Sequence, residues 1–174
     1  MSKERASCRR LGKDGRRDYA KMEGKVSISF IDTNVIMYTV GRKHKYKDPC
    51  SLLIQKIAKE NITVASDTEV LQEILYRYWL IREFERAEET YSDFRKLVSL
   101  MFPITTDDVD LALELLQRYR NIQPRDAIHA AVMLNNGLTT IYSTDSHFDE
   151  IKGIKRIDPI ELNMKTRANR GSPK

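Results

Sequence analysis

Short apolar runs alternate with amphipathic stretches along most of this 174-residue chain, and that alternation limits its fold more than any other feature. The apolar, β-branched runs predict strands at residues 26–31, 62–65, 103–105, 139–143 and 154–157. The stretches between them have helical periodicity and predict helices that begin near Pro49, Ser66, Tyr91, Thr106 and Pro124. Strands that alternate with helices favour a mainly parallel sheet with helices on both faces. The sequence therefore predicts an α/β fold.

Two local signals predict helix boundaries within this pattern. The segment Ser66-Asp67-Thr68-Glu69 has the spacing of a capping box, in which the Glu69 side chain would bond to the start of its own helix. A polar break at residues 85–89 is predicted to end that helix and to precede the next one, over about residues 91–100.

The composition is typical of a soluble globular protein, with 41% hydrophobic and 32% charged residues. No apolar run approaches the roughly 18 residues of a membrane span. No apolar segment follows the basic N-terminus, so no signal peptide is predicted. Cys8 and Cys50 lack the spacing of metal ligands, which favours two reduced thiols in the cytoplasm.

The net charge of +5 is unevenly distributed. Residues 1–25 hold nine basic and four acidic side chains, and residues 165–174 hold four basic and no acidic ones, which leaves residues 26–164 with a net charge of −4. One domain over residues 26–164 is predicted between two basic extensions. Such extensions either attract nucleic acid through its phosphates or simply aid solubility. Since Met22 closely precedes the first predicted strand, a tag or an upstream start also explains the leader.

Four carboxylates fall where the predicted strands end or in the helices that follow them. They are Asp32 after the first strand, Glu73 in the helix after the second, Asp126 in the first turn of the Pro124 helix, and Asp145 after strand 139–143. Because ligands gather at the carboxyl ends of the strands in an open parallel sheet, these side chains are predicted to reach one edge of the sheet. Glu73 is favoured over Glu69, which the capping box already explains.

Each aspartate alone has a structural explanation. Asp32 is placed to cap a helix, Asp126 to interact with a helix dipole, and Asp145 to form a turn. Together the carboxylates are tolerable only if some are protonated or a cation lies among them, because two unit charges about 4 Å apart repel by about 4 kcal/mol at an effective dielectric constant near 20. Oxygen ligands suit Mg²⁺ or Mn²⁺, ions that activate water and offset the charge of a phosphodiester. The sequence therefore favours a divalent metal site.

Four stretches, taken in order, resemble the PIN-domain nucleases, in particular the toxins of VapBC-type toxin–antitoxin pairs and their archaeal relatives. The stretches are FIDTNVIMY, TEVLQEIL, PRDAIHAAVMLNNG and IYSTDSHFDEI, and they span about residues 27 to 160. The resemblance implies a three-layer α/β/α sandwich with a central parallel sheet. It implies a site of Asp32, Glu73, Asp126 and Asp145, with Asp149 as a fifth candidate and with Asn34 and Thr144 as supporting residues.

The activity implied by the resemblance is Mg²⁺- or Mn²⁺-dependent hydrolysis of RNA by the toxin of such a pair, with an antitoxin protein as partner. Two alternatives stay open at this point. One is a nuclease that acts in RNA processing, and the other is a non-catalytic RNA-binding or assembly module.

Several further residues near these stretches have competing interpretations. His129 is interpreted as a structural histidine, and His147 as structural or as a substrate contact. The loop GRKHKYK, residues 41–47, either contacts RNA phosphates or is merely solvated. The segment YRYWLIREF carries Trp79 and Phe84 at helical spacing, which predicts core packing or the interface of a homodimer.

Overall fold

The computed structural model describes the backbone of residues 28–170 and the side chains of residues 28–164. Five strands form one sheet: β1 (Ser29–Ile31), β2 (Val64–Asp67), β3 (Leu100–Phe102), β4 (Thr140–Tyr142) and β5 (Lys155–Ile157). Their order is β3-β2-β1-β4-β5, and every neighbouring pair is parallel. The carboxyl ends of all five strands therefore lie at the same edge of the sheet.

Seven α-helices connect or follow these strands in the part of the chain that the structure describes. They are α1 (Thr33–Val40), α2 (Lys47–Lys59), α3 (Thr68–Ile81), α4 (Phe84–Leu97), α5 (Thr106–Arg118), α6 (Pro124–Asn135) and α7 (Pro159–Arg170). A short 3-10 helix at Ser146–Glu150 follows β4.

The sheet separates two apolar cores, because successive side chains of a strand point to opposite faces. Phe30 of β1 packs with Ile141 and with residues of α5 and α6, such as Ala130. Its neighbour Ile31 packs on the other face, with residues of α1 to α4 such as Ile74. Helices thus cover both faces, and the predicted α/β/α sandwich with a parallel sheet is confirmed.

The predicted capping box at the start of α3 is wrong. Ser66 lies within β2, and its hydroxyl donates to the carbonyl oxygen of Ile31. Asp67 is the N-cap instead, and its Oδ1 accepts hydrogen bonds from the backbone N–H groups of Glu69 and Val70. Asp67 therefore fills the N-cap role that the sequence gave to Ser66.

The predicted break at residues 85–89 is also wrong. Helix α3 ends at Arg82, which adopts a left-handed backbone conformation with φ of 59°, and α4 already begins at Phe84. The acidic residues of the supposed break lie on the exposed side of α4, whereas Ala87, Thr90 and Phe94 are buried. The third strand also lies earlier than predicted, at Leu100–Phe102.

The ends of the predicted domain are only partly described. The basic extension of residues 1–25 lies outside the described residues. Toward the other end, α7 continues to Arg170, so the helix enters the predicted basic tail of residues 165–174. Cys50 is a free, buried thiol. Within residues 28–170, no helix is long and apolar enough to span a membrane.

Candidate active site

Asp32 occupies the N-cap position of α1, yet its carboxylate does not cap that helix. Its Oδ2 accepts a hydrogen bond of 2.6 Å from the Ser143 hydroxyl and another from the Asn34 side-chain amide. Since Ser143 follows β4, the neighbour of β1, the carboxylate is directed across the strand ends. The capping explanation of Asp32 is thereby excluded.

Burial raises the pKa of Asp32 to about 6, because only 4% of the residue is exposed. The charge of His129 and the hydrogen bond from Ser143 oppose this rise, whereas the charges of Asp126 and Glu73 add to it. The charges of Asp126 and Glu73 therefore act directly on the buried Asp32 carboxylate. Asp32, Glu73 and Asp126 therefore belong to one electrostatic cluster.

Glu73 reaches this cluster from α3, and its side chain is 16% exposed. Its Oε1 lies 3.7 Å from His129 Nε2 and 3.7 Å from Arg125 Nε. Burial would raise the pKa of Glu73, but the hydrogen bond and the charge of His129 outweigh it and lower the pKa. Glu73 is thus held in its charged form.

Asp126 and Asp145 complete the group of sequence-predicted acids. Asp126 lies in the first turn of α6, and Asp145 precedes the 3-10 helix after β4. Burial, followed by the charge of Asp145, raises the pKa of Asp126. Ligand atoms of Asp126, Asp145 and His147 all lie within 4.8 Å of one another, a grouping that can hold a metal ion.

Two deeply buried residues beneath this cluster form an ion pair that sequence reasoning missed. Oδ2 of Asp67 lies 2.8 Å from His129 Nδ1, and the two side chains are 0% and 1% exposed. Burial opposes a charge on His129, but Asp67 and Glu73 raise its pKa well above the usual value for histidine. His129 is therefore a buried cation between two carboxylates, so its interpretation as a merely structural histidine was incomplete.

A signal for this pair was present in the sequence. Asp67 follows the apolar run of the second strand just as Asp32 follows the first, and His129 lies one helical turn after Asp126. Because the capping box was placed at Ser66, Asp67 was not considered as a residue at the end of a strand.

Polar groups around Asp32 fix its orientation. Asn34 Nδ2 donates to the Ser143 hydroxyl as well as to Asp32, and Asn34 Oδ1 accepts from the backbone N–H of Thr144. The Ser143 hydroxyl also accepts from the backbone N–H of Asp145. Asn34 thus contacts the Asp32 carboxylate directly, Thr144 contributes its backbone N–H to Asn34, and Ser143 supplies the hydroxyl on Asp32.

Glu69 and Asp149, the two remaining acids considered from the sequence, have basic partners. Glu69 lies at the rim, 4.0 Å from Arg125 Nε, and burial raises its pKa. Asp149 forms two hydrogen bonds with the guanidinium group of Arg156, at 3.1 and 2.8 Å. Arg156 thus balances the charge of Asp149, whose role as a fifth metal ligand stays a prediction.

The donor set fits a divalent cation. Asp32, Glu73, Asp126 and Asp145 bring four carboxylates to one edge of the sheet, and the buried cation beneath them, His129, is itself paired with Asp67. Negative charge is therefore in excess, and the charges of Asp126 and Glu73 add to the effect of burial in raising the pKa of Asp32. Carboxylate oxygens are the ligands that Mg²⁺ and Mn²⁺ prefer.

Comparison with known proteins identifies the family. The sequence model of the PIN domain matches residues 29–154. Ribonuclease VapC13 of Mycobacterium tuberculosis is 35% identical over 127 residues, which cover 73% of this chain and 97% of that protein. The protein named VapC ribonuclease Mb1869c, from Mycobacterium bovis, is equally similar. A structure of VapBC2 from Rickettsia felis superposes with a TM-score of 0.58 at 21% identity, covering 75% of this chain and 97% of that one, which supports the same fold. The chain therefore belongs to the PIN domain family.

Proposed function

We propose that this protein is a metal-dependent endoribonuclease and the toxin of a toxin–antitoxin pair. The observation that carries the proposal is the electrostatic cluster of Asp32, Glu73 and Asp126, with Asp145 beside Asp126, at the carboxyl edge of the sheet. Relatives that align along nearly their whole length are named ribonucleases, which supports RNA as the substrate. A cytoplasmic location follows from that substrate.

In this proposal Asp32, Glu73, Asp126 and Asp145 hold Mg²⁺ or Mn²⁺. The bound ion supplies positive charge that acidifies water and stabilises the phosphodiester in its transition state. Ser143 and Asn34 keep the Asp32 carboxylate turned toward the other acids. The Asp67–His129 pair holds Glu73 charged and in place, and Asp145 orients the attacking water by a hydrogen bond.

We further propose that the basic loop at residues 41–47 binds single-stranded RNA. His44 of this loop stacks on Tyr38 at the end of α1, with ring centroids 4.6 Å apart, and Arg42 and Lys43 are exposed. Stacked aromatic rings beside basic side chains suit unpaired bases and phosphates.

A chain of hydrogen bonds joins that loop to the acidic cluster. The Tyr46 hydroxyl donates to Asp158, at 2.9 Å. The Arg156 guanidinium group donates both to Asp158 and to the carbonyl oxygen of Ser143, the residue that also holds Asp32. The loop is thus connected to the residue that orients Asp32, and we propose that RNA bound on the loop extends to the carboxylates.

An RNA-cleavage assay with the purified full-length chain tests the proposal. Mg²⁺ or Mn²⁺ should support cleavage of single-stranded RNA, and EDTA should abolish it. Asp126→Asn should lose activity, whereas Asp110→Asn, the same change at an exposed site on α5, should keep it. Cleavage in EDTA, or by the Asp126 variant, would refute the proposed site.

The proposed toxin role has a separate test in living cells. Expression of the chain should arrest growth, and co-expression of an adjacent small gene should relieve the arrest. Growth arrest by the Asp126→Asn variant would mean that toxicity does not arise from RNA cleavage. For residues 1–21 we propose at most a salt-sensitive contribution to RNA affinity, so their deletion should leave cleavage intact.

A further inference from the structure

His147 lies in the 3-10 helix after β4, beside the proposed metal ligands Asp126 and Asp145. Its side chain is 38% exposed overall, but the Nδ1 atom is fully buried. Nδ1 makes no hydrogen bond with any residue that the structure describes. A buried nitrogen without a hydrogen bond is costly, since its desolvation is not compensated.

The nearest charged atom does not remove this cost. Asp145 Oδ1 lies 2.9 Å from His147 Nδ1, which is close enough for an ion pair, but the orientation does not satisfy a hydrogen bond. That oxygen instead accepts the backbone N–H of His147, at 2.9 Å. The imidazole nitrogen and the carboxylate oxygen thus lie side by side, 2.9 Å apart, without a hydrogen bond between them.

This spacing matches two adjacent ligands of one octahedral ion. Bonds of about 2.1 Å at a right angle place neighbouring ligand atoms about 3 Å apart. Asp126 contributes a third group, since a ring nitrogen of His147 and carboxylate oxygens of Asp126 and Asp145 all lie within 4.8 Å of one another. An ion bound at this position would complete the coordination of Nδ1, with the proton of the neutral ring on Nε2.

We propose that His147 is a nitrogen ligand of the metal site and that it favours Mn²⁺ over Mg²⁺. This inference rests on the proposed function, which places a divalent ion among the carboxylates. Mg²⁺ prefers oxygen ligands and retains its water, whereas first-row transition ions accept imidazole more readily. His147 would therefore tune which ion the acidic site selects.

Binding of Mn²⁺ to the full-length protein tests the inference without an activity assay. The electron spin-echo spectrum of bound Mn²⁺ should contain the modulation of a directly coordinated imidazole nitrogen. His147→Asn replaces that nitrogen by an amide oxygen, so the modulation should disappear. Titration calorimetry should show that the ratio of Mn²⁺ to Mg²⁺ affinity falls by about tenfold in this variant. His44→Asn, in the exposed basic loop, serves as the matched control and should leave the nitrogen modulation and the ratio of Mn²⁺ to Mg²⁺ affinity unchanged.

The outcomes separate this inference from the function on which it rests. If Mn²⁺ binds the wild type without nitrogen modulation, or if the modulation persists in His147→Asn, His147 is not a ligand, although the acidic site stands. Loss of binding in Asp126→Asn would support the acidic site in either case. Should Asp126→Asn bind Mn²⁺ as the wild type does, the proposed site and this inference both fail.

Discussion

At the scale of single residues, the buried carboxylate of Asp32 destabilises the metal-free protein but suits a metal site. The residue stands at a helix N-terminus, where a carboxylate normally caps, but hydrogen bonds from Ser143 and Asn34 turn it toward other acids. Burial then raises its pKa to about 6. Its negative charge therefore lowers the stability of the metal-free protein, and a bound cation would offset this effect.

Asp32→Asn should abolish cleavage and stabilise the metal-free protein. A carboxyl whose folded-state pKa is raised from about 4 to about 6 destabilises the folded state at pH values above 6, and this penalty vanishes below about pH 4. Removal of the charge should thus raise the free energy of unfolding by about 1–3 kcal/mol at pH 8 in EDTA. Urea unfolding at pH 8 and at pH 4.5 measures the gain, which should shrink at the lower pH. An equal gain at both pH values would contradict this origin.

The two glutamates of α3 provide a second test at this scale. In Glu73→Gln the rate of RNA cleavage should fall by at least about 100-fold, because the variant removes a proposed metal ligand next to His129. Glu69→Gln should retain most of the activity, since Glu69 lies at the rim beside Arg125. Cleavage rates at saturating Mg²⁺ decide between them. Normal cleavage by the Glu73 variant and none by the Glu69 variant would reverse the assignment.

At the scale of elements, the Asp67–His129 pair connects α3 to α6 at the carboxyl end of the sheet. Asp67 caps α3 with one carboxylate oxygen and binds His129 of α6 with the other. The same histidine lies near Glu73, one and a half turns along α3. One buried contact thus sets the relative position of the two helices that carry Glu73 and Asp126.

His129→Leu should destabilise the protein by about 3–5 kcal/mol, since it leaves the buried carboxylate of Asp67 without its cation. His44→Leu makes the same replacement at an exposed position and should change stability by less than about 0.5 kcal/mol. The midpoints of urea unfolding give both values. Equal stability of the two variants would mean that the buried pair contributes nothing.

Some of these elements could be predicted from the sequence, and others could not, for physical reasons. The β-branched run before Asp32 and the Pro124 start of α6 are local signals, and the structure contains both elements. The turn between α3 and α4 gave no such signal, because an arginine, and not a glycine, adopts the left-handed conformation at Arg82. The acidic residues of α4 were mistaken for a break although they form its solvent-exposed side.

The residues of the candidate site could likewise be predicted from the sequence only in part. The rule of strand ends indicated Asp32 and Asp145 because both directly follow apolar runs. The pairing of Asp67 with His129 joins residues 62 positions apart, and the hydrogen bond from Ser143 to Asp32 spans 111 positions. Contacts of that range depend on how strands and helices pack, so a single sequence does not reveal them.

At the scale of the whole molecule, an apolar surface on α3 and the start of α4 is left exposed by the residues that the structure describes. Its large side chains are all exposed by 44% or more: Leu75, Tyr76, Trp79, Leu80, Ile81 and Phe84. Core packing, one of the two interpretations of this aromatic segment, thus holds for the buried Tyr78 but not for Trp79 or Phe84. Such a continuous apolar face is typical of a protein interface. We propose that a second copy of the chain covers it.

Trp79→Glu should convert the proposed homodimer into a monomer, because it places a charge in the centre of that face. Leu113→Glu is the matched control, since this leucine is equally exposed but lies on α5. Light scattering coupled to size-exclusion chromatography gives the mass of each variant. A monomeric wild type, or a Trp79 variant that remains a dimer, would contradict the proposed interface.

The central claim is that carboxylates far apart in the chain hold one divalent ion at the edge of the sheet. A crystal of the protein soaked in Mn²⁺ tests it most directly, through the anomalous scattering of the ion. We expect an anomalous peak within about 2–2.5 Å of carboxylate oxygens from Asp32, Asp126 and Asp145. Glu73 should bind the same ion directly or through a water molecule. A well-occupied ion elsewhere, with these side chains uncoordinated, would contradict the account.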